Sequence, residues 1–304
     1  MTAAALSPEQ TEHDSGNASP VQPKGLSARC GMLAREDPAA LVGGLFLTIV
    51  VVSAILAPVI APHGPLAQDQ FNVGAGSSSS HLLGTDQLGR DIFSRLVYGA
   101  RSSLLIGIGS VLLALLAGTI FGTLAGYYGG RIDAAISAGI DLVLAFPLLI
   151  LAILVVIVLG PTLWNVIFAI GLSQVPLFVR LARSLTLSLR QREFVEAAIS
   201  LGSSDFKVMR KHVLPNVLPL MVVQGTTTIG LAILSGAALS FLGVGLQPPT
   251  PDWGRMVSEL GVFVFTRPLL PFYPGAAIAL TVVAANLLGD GLVKIVDPLG
   301  RRVL

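Results

Sequence analysis

The chain has 304 residues, 53% of them hydrophobic and 12% charged, with a mean hydropathy of +0.79. A soluble domain carries about 25% charged residues, so this composition excludes a water-soluble globular protein and reads as an integral membrane protein. The formal net charge of +2 carries little information, because the basic residues are segregated along the chain. Cys30 is the single cysteine, which excludes an intrachain disulfide. The four histidines, His13, His63, His81 and His212, are scattered without metal-ligand spacing, which argues against a dedicated zinc site.

Residues 1–38 are polar and rich in Ala, Ser, Pro and Gln. They hold no long apolar run, so they are not a signal peptide, and they read as a disordered cytoplasmic tail. Lys24, Arg29 and Arg35 stand just ahead of the first span and hold that end inside. Residues 39–304 form the membrane domain. The first span is expected at 39–60, since about twenty apolar residues cross the hydrocarbon. An external loop follows at 62–100, with a serine tract at 77–80. Asp86 is expected to cap a short amphipathic helix carrying Ile92, Phe93, Leu96 and Val97, lying in the interface. The second span is expected at 103–127. Gly118, Gly122 and Gly126 recur every four residues along it, a smooth stripe where another helix can approach closely.

Gly129-Gly130-Arg131 makes a tight inner turn into the third span, 132–159, which carries Asp141 and a proline kink at Pro147. An ionisable residue in a span is a functional candidate, but Asp141 lies about two turns from the inner end. The fourth span, 163–181, carries Gln174 and Pro176. The fifth, 217–242, opens with Pro219 and carries Thr226, Thr227 and Thr228, which line a pathway or bond back to their own helix. A proline-rich external loop, 243–271, is expected to expose Trp253 to an external partner. The last span is expected at 273–293, followed by Arg301 and Arg302.

Seven of the nineteen basic residues fall within 180–215: Arg180, Arg183, Arg190, Arg192, Lys207, Arg210 and Lys211. Such a loop between two spans is most simply cytoplasmic. With six spans and both termini inside, the inner segments hold fourteen basic residues and the outer ones five. Arg90, Arg95 and Arg101, just before the second span, run against this bias. Within the loop, residues 193–201 read as a helix that Gly202 ends in the left-handed conformation. Ser203 or Ser204 is expected to cap a second helix, 205–212, which Pro215 stops. Phe206, Met209 and Val213 share one face of it. The result is a helical hairpin with an apolar ridge and a basic rim, suited to docking in a groove of another protein.

The loop resembles a known family. Glu196-Ala197-Ala198, then Gly202 after three residues, then Leu214-Pro215, matches the EAA loop of bacterial ABC importer permeases, with His212 where that family usually has isoleucine. Three further stretches resemble the C-type subunit of dipeptide, oligopeptide and nickel permeases. The first is the GTDxxGRDxxSR run from Gly84 to Arg95. The second is the FLGxGxQPPxPxWG run from Phe241 to Gly254. The third runs from Asn286 through Asp290 and on to Asp297-Pro298.

The resemblance covers residues 35–300 and implies an all-α type I ABC importer permease of six transmembrane helices in the bacterial inner membrane. It implies a B-type permease as a second membrane subunit, two ABC ATPase subunits below and an external substrate-binding protein. It also implies that Glu196, Ala197, Ala198, Gly202, Phe206, Met209, Leu214 and Pro215 dock the ATPase, with Glu196 paired to a basic group there or on a neighbouring helix. Di- or oligopeptides are the expected cargo, with nickel chelates or other small solutes as the alternative.

The chain itself has no GxxxxGK[ST] phosphate loop, no HExxH, no GxSxG and no cysteine–histidine pair. Leu234-Ser235-Gly236 begins like an ABC signature but lies within a span and goes no further. No catalytic residue, metal or cofactor is therefore expected in this chain, and ATP and Mg²⁺ would sit on the ATPase partners. Two other classes stand beside this one. A secondary transporter driven by an ion gradient needs carboxylates in its spans, for which Asp141 and Asp290 are the candidates. A non-transporting scaffold that recruits an ATPase would share the docking loop.

Overall fold

The computed structural model describes residues 37–296, and the described residues are helical throughout apart from loops and two isolated bridges. The expected tail and the last residues, with Arg301 and Arg302, lie outside them. The helices are α1 (Pro38–Ile55), α2 (Ala57–Ile60), α3 (Ile92–Tyr128), α4 (Gly130–Leu144), α5 (Leu148–Leu159), α6 (Leu163–Arg190), α7 (Glu193–Ser200), α8 (Asp205–Val208), α9 (Leu214–Phe241), α10 (Trp253–Leu260) and α11 (Leu269–Val296). A π turn, Met209–Val213, joins α8 to α9. Among the described residues, five helical stretches are long and apolar enough to cross a membrane alone, and α4 with α5 makes a sixth as a pair bent by 89°.

The direction of each helix follows from its neighbours. Ser110 on α3 donates to the Ile167 carbonyl on α6, Gly118 packs on Phe178, and Gly126 on Thr186. The pairings climb together, so α3 and α6 run parallel. Parallel neighbours need the chain to return between them, and α4–α5 is the segment that returns it. Along α9 the pairings run the other way: Gly236 meets Ile106 and Gly225 meets Val111. Helix α11 is antiparallel to α9, with Gly230 on Val282 and Gly289 on Thr227, and α1 is antiparallel to α11, with Gly43 on Ala284. Six passes result. Both ends of the described chain meet on one side, where Lys294 Nζ donates to Asp37 Oδ2 at 2.5 Å.

The glycine stripe on α3 is a packing seam. A Cβ at Gly122 would stand 2.5 Å from the Val179 carbonyl oxygen and 2.6 Å from Ala182 Cβ; at Gly126 it would stand 2.7 Å from the Arg183 carbonyl oxygen. Only glycine lets α3 and α6 approach this closely. The side chains beside the seam, Phe178, Val179 and Ala182, are buried. Large apolar side chains on α1, α5 and the outer face of α3, such as Leu45, Ile49, Ile157, Val158 and Leu112, are exposed, as a surface facing lipid or a second membrane chain requires.

Several expected elements differ. Pro147 does more than kink its span: residues 145–147 leave the helix and the two halves turn by 89°, because proline lacks the N–H and clashes with the preceding turn. The expected interfacial helix is instead the first turns of α3, which run unbroken from Ile92. Its cap is Asp91, whose Oδ2 accepts the Ser94 N–H at 2.8 Å, rather than Asp86. Pro215 does not stop a helix. It stands in the first turn of α9, where proline is tolerated, and the π turn carries the helix through from Asp205 to Phe241. Trp253 is buried, not exposed. It starts α10, packs on Gly99 and donates its indole N–H to the Leu96 carbonyl at 2.9 Å. Thr226, Thr227 and Thr228 donate to the carbonyls of Val223 and Gln224, the back-bonding alternative.

Candidate functional site

The candidate site is the segment between α6 and α9. Helix α6 reaches Arg190, so the loop begins nine residues later than the apolar pattern alone suggests. Arg183 makes two 2.6 Å bonds to the Asp133 carboxylate on α4. Arg180 reaches Asp141 at 3.4 Å, both exposed. Arg190 lies over the Tyr127 ring at 5.7 Å. Three of the seven basic residues therefore brace this end of the bundle. Among the described residues, Arg192, Lys207, Arg210 and Lys211 form no ion pair, and they are exposed.

Helix α7 begins with Glu193 and Glu196 in its first turn, where carboxylates complement the N-terminal dipole. It ends in a two-bond cap. The Gly202 N–H donates to Ile199 O at 2.9 Å, and the Ser203 N–H to Ala198 O at 3.1 Å. This cap requires the left-handed conformation at Gly202, whose φ is +78°. Ser204 holds the N-cap position of α8 but makes no side-chain cap bond, so the expected serine cap is not formed. The anchor is Asp205, whose Oδ1 accepts the Tyr127 hydroxyl at 2.9 Å. That bond ties the start of α8 to the end of α3.

The expected apolar ridge divides. Met209 and Val213 are buried in the chain's own core with Val195 and Val208, while Phe206 is 69% exposed. The π turn rotates Met209 and Val213 inward, so Met209 is a core residue and not part of an open docking face. A different set of apolar side chains lies open: Leu201 at 86%, with Phe194, Ile199 and Phe206. Glu196 and Ala197 are exposed beside them, Ala198 and Leu214 are half-buried, and Pro215 is exposed. The structure thus brings Glu196, Ala197, Gly202 and Phe206 onto an open surface and adds Phe194, Ile199 and Leu201, which the heptad-like spacing of 206–213 did not single out. Their signal was present: α7 is too short to bury two faces, and only Val195 on it is buried.

A second polar feature lies within the spans. Gln174 on α6 is buried, and neither end of its amide has a hydrogen-bond partner among the described residues. It lines a cavity of about 280 Å³ at the α4–α5 bend, with Ser173, Pro176, Arg180 and Leu231. A buried unpaired amide costs about 1–3 kcal/mol.

At the other end of α3, Asp86 accepts from Arg90 Nε at 2.7 Å and from Arg95, and Glu259 on α10 accepts from both arginines at 2.9 Å. All four are buried or nearly so. Arg101 donates to the Ala54 and Ile55 carbonyls at 2.5 and 2.9 Å. The arginines that ran against the charge bias are thus consumed within the fold.

Comparison with known proteins agrees with this architecture. Residues 118–302 match the family of binding-protein-dependent transport system inner membrane components, and residues 34–74 match the N-terminal transmembrane domain of oligopeptide transport permease C. The chain is 44% identical over 264 residues to the dipeptide transport system permease protein DppC of Alkalihalophilus pseudofirmus, covering 87% of each chain. It is 45% identical over 267 residues to the glutathione transport system permease protein GsiD of Escherichia coli, covering 87% of this chain and 88% of that one. Among solved structures, an inward-facing form of the MetNI methionine ABC transporter superposes with a TM-score of 0.55 at 20% identity, covering 68% of this chain and 98% of the other. That likeness concerns the fold.

Proposed function

The chain belongs to the binding-protein-dependent transport system inner membrane components and is a C-type ABC importer permease, and on that premise we propose that it carries di- or oligopeptides, driven through the α7–α8 hairpin. It is a multi-pass inner-membrane subunit, and its relatives are permease subunits. In this reading its partners are a B-type permease, two ATPase subunits and an external binding protein. The hairpin, Asp37 and Lys294 lie on the cytoplasmic side, and the 62–91 segment with α10 lies outside.

The observation that carries the docking role is the open ridge of Phe194, Ile199, Leu201 and Phe206 on a hairpin that is otherwise fixed. Val195 and Val208 root it in the core, and the Tyr127–Asp205 bond holds it to α3. Leaving such side chains in water forfeits roughly 1.5–3 kcal/mol each relative to burial. A partner groove recovers that, and the exposed Arg192, Lys207, Arg210 and Lys211 suit an acidic rim around it. Because the hairpin is continuous with α9 through the π turn and fixed to α3, motion of a docked ATPase is transmitted to two spans. ATP shifts the permease between its states only through a difference in its affinity for them.

The peptide assignment rests on the two relatives, named for dipeptide and glutathione transport. An ion-driven mechanism finds no support in the span carboxylates: Asp141 is exposed and faces Arg180, and Asp290 is exposed.

The test is purification through a tag on this subunit in mild detergent, with mass spectrometry of what accompanies it. A second permease and one or two ATPases are expected, and Glu196→Arg is expected to lose the ATPases while keeping the permease. A chain that comes down alone in every mild detergent overturns the docking reading.

A further inference from the structure

The segment between α2 and α3 gathers two of the histidines that the sequence leaves eighteen residues apart. His63 and His81 stack with ring centroids 4.8 Å apart and planes 28° from parallel. Ligand atoms of His63, His81 and Asp91 all lie within 4.8 Å of one another. The three line a small cavity of about 100 Å³, together with Asp69, Gln68 and Gly89. His81 and Asp91 are buried, and the Nδ1 atom of His63 is buried with no hydrogen-bond partner among the described residues.

The placement is fixed by the backbone. The His63 N–H donates to Ser94 Oγ at 3.2 Å, and Asp91 caps the same turn through the Ser94 N–H. His81 enters from the other side, its N–H donating to Ser78 Oγ at 3.0 Å. Its ring stands between two carboxylates: Nδ1 is 3.0 Å from Asp91 Oδ1 and Nε2 is 3.5 Å from Asp69 Oδ2. A neutral imidazole carries one N–H. It can donate to one carboxylate only, and at the other a lone pair faces an oxygen. A positive charge resolves this, either a second ring proton or a metal ion on the Asp91 side.

We propose that His63, His81 and Asp91 bind a divalent first-row transition cation, with Asp69 holding the far nitrogen of His81. Two imidazoles and one carboxylate are a donor set for zinc, nickel or copper rather than for calcium or magnesium, which take oxygen cages. A carboxylate on the second nitrogen of a ligating histidine fixes its tautomer and orientation, and Asp69 holds that position. Ligands around a tetrahedral ion stand about 3.3 Å apart, given bonds of ~2.0–2.1 Å, so binding requires the His63 ring to turn out of its stack on His81 and the set to contract from 4.8 Å. The ion would clamp the 62–91 segment to the first turn of α3. This site is independent of the docking reading.

The experiment uses the assembled transporter, purified through a non-histidine tag on the full chain, stripped with a chelator and titrated with Zn²⁺ alone. Calorimetry and elemental analysis are compared between wild type, His63→Ala, Asp69→Asn and a His13→Ala control. His63 makes no side-chain hydrogen bond through Nδ1, so its loss tests the ligand with little effect on folding. The expected result is one equivalent of zinc that His63→Ala abolishes or weakens tenfold or more, that Asp69→Asn weakens about tenfold, and that His13→Ala leaves alone. Zinc should also raise the unfolding temperature of wild type and not of His63→Ala. The same stoichiometry and affinity in His63→Ala and wild type overturns the proposal, as does the absence of bound zinc in wild type. Calcium bound as tightly as zinc overturns the assignment of ion class.

Discussion

The two ends of α3 are built on opposite rules. At the Ile92 end charges lie inside: Asp86, Arg90, Arg95 and Glu259 form a buried network, and Asp252, the N-cap of α10, is buried as well. At the Tyr128 end, 37 residues and roughly 55 Å away, apolar side chains lie outside: Leu201 and Phe206 stand open on the hairpin. The first end pairs most of its buried charges within the chain, leaving Arg95 Nε without a partner among the described residues. The second holds apolar side chains open on a fixed hairpin. A buried ion network favours one arrangement of the chain, whereas exposed apolar side chains on a fixed scaffold suit contact with another protein.

Substitutions break this comparison to different degrees. The largest stability loss is expected for Asp86→Asn. It leaves Arg90 and Arg95 with half of their acid partners in a buried site, which costs about 3 kcal/mol and should show as a large drop in the unfolding temperature in detergent. Gly122→Leu comes next, since its side chain would overlap the α6 backbone, at about 1–3 kcal/mol; the unfolding midpoint again reads it, and Gly122→Ala should fall between. An unchanged midpoint in either case would mean that the core around α3 is looser than its packing.

Gly202→Val moves to the other end. Nothing lies within 4 Å of a Cβ there, so the strain comes from φ alone, about 1–2 kcal/mol. Its main effect should be functional: ATP hydrolysis persists while uptake into vesicles falls. Normal uptake by this variant would sink the coupling role of the turn.

Asp252→Asn returns to the buried-charge end. Burial pushes the Asp252 carboxyl above its usual range, against the bonds from Ser240, Arg255 and Ser103. Its protonated form thus favours folding, and that contribution is full below the ordinary carboxylate pKa of about 3.9 and lost as pH rises through the raised value. Asparagine keeps the cap on the Arg255 N–H without the charge. The variant should melt above wild type at pH 8, with the gap closing near pH 4. A gap that widens on acidification would contradict the sign. The smallest stability effect is expected for Leu201→Ser with Phe206→Ser, within about 0.5 kcal/mol, yet this pair should lose the ATPase subunits on purification. Retained ATPase would show that the ridge is not the docking surface.

Much of the membrane architecture was legible in the chain. The apolar runs located the spans because a bilayer tolerates little else, and the spacing of Gly118, Gly122 and Gly126 offered a stripe for close helix approach, whose partner, α6, only the structure named. The Gly202 turn was legible for a similar reason: φ of +78° favours glycine. Pro215 and Pro147 were harder. One proline sits in the first turn of a continuing helix and the other breaks its span, and their local sequences do not separate the two outcomes. A proline removes the same N–H in both places, and the surrounding packing decides whether the helix can go on.

The candidate site divides along the same line. Composition and patterning by themselves determined a helical, multi-spanning chain with a basic hairpin between its fourth and fifth crossings, since solvent and bilayer act on each residue type directly. Only the tertiary structure decided which face of that hairpin is open. Met209 and Val213 turn inward at the π turn, and Phe194, Ile199 and Leu201 stay outside because the short α7 buries a single side chain, Val195. Only the tertiary structure, too, packed Trp253 against Gly99 and Leu96 and brought His63 beside His81. Those contacts join segments distant in sequence, and no local rule carries the information that they meet.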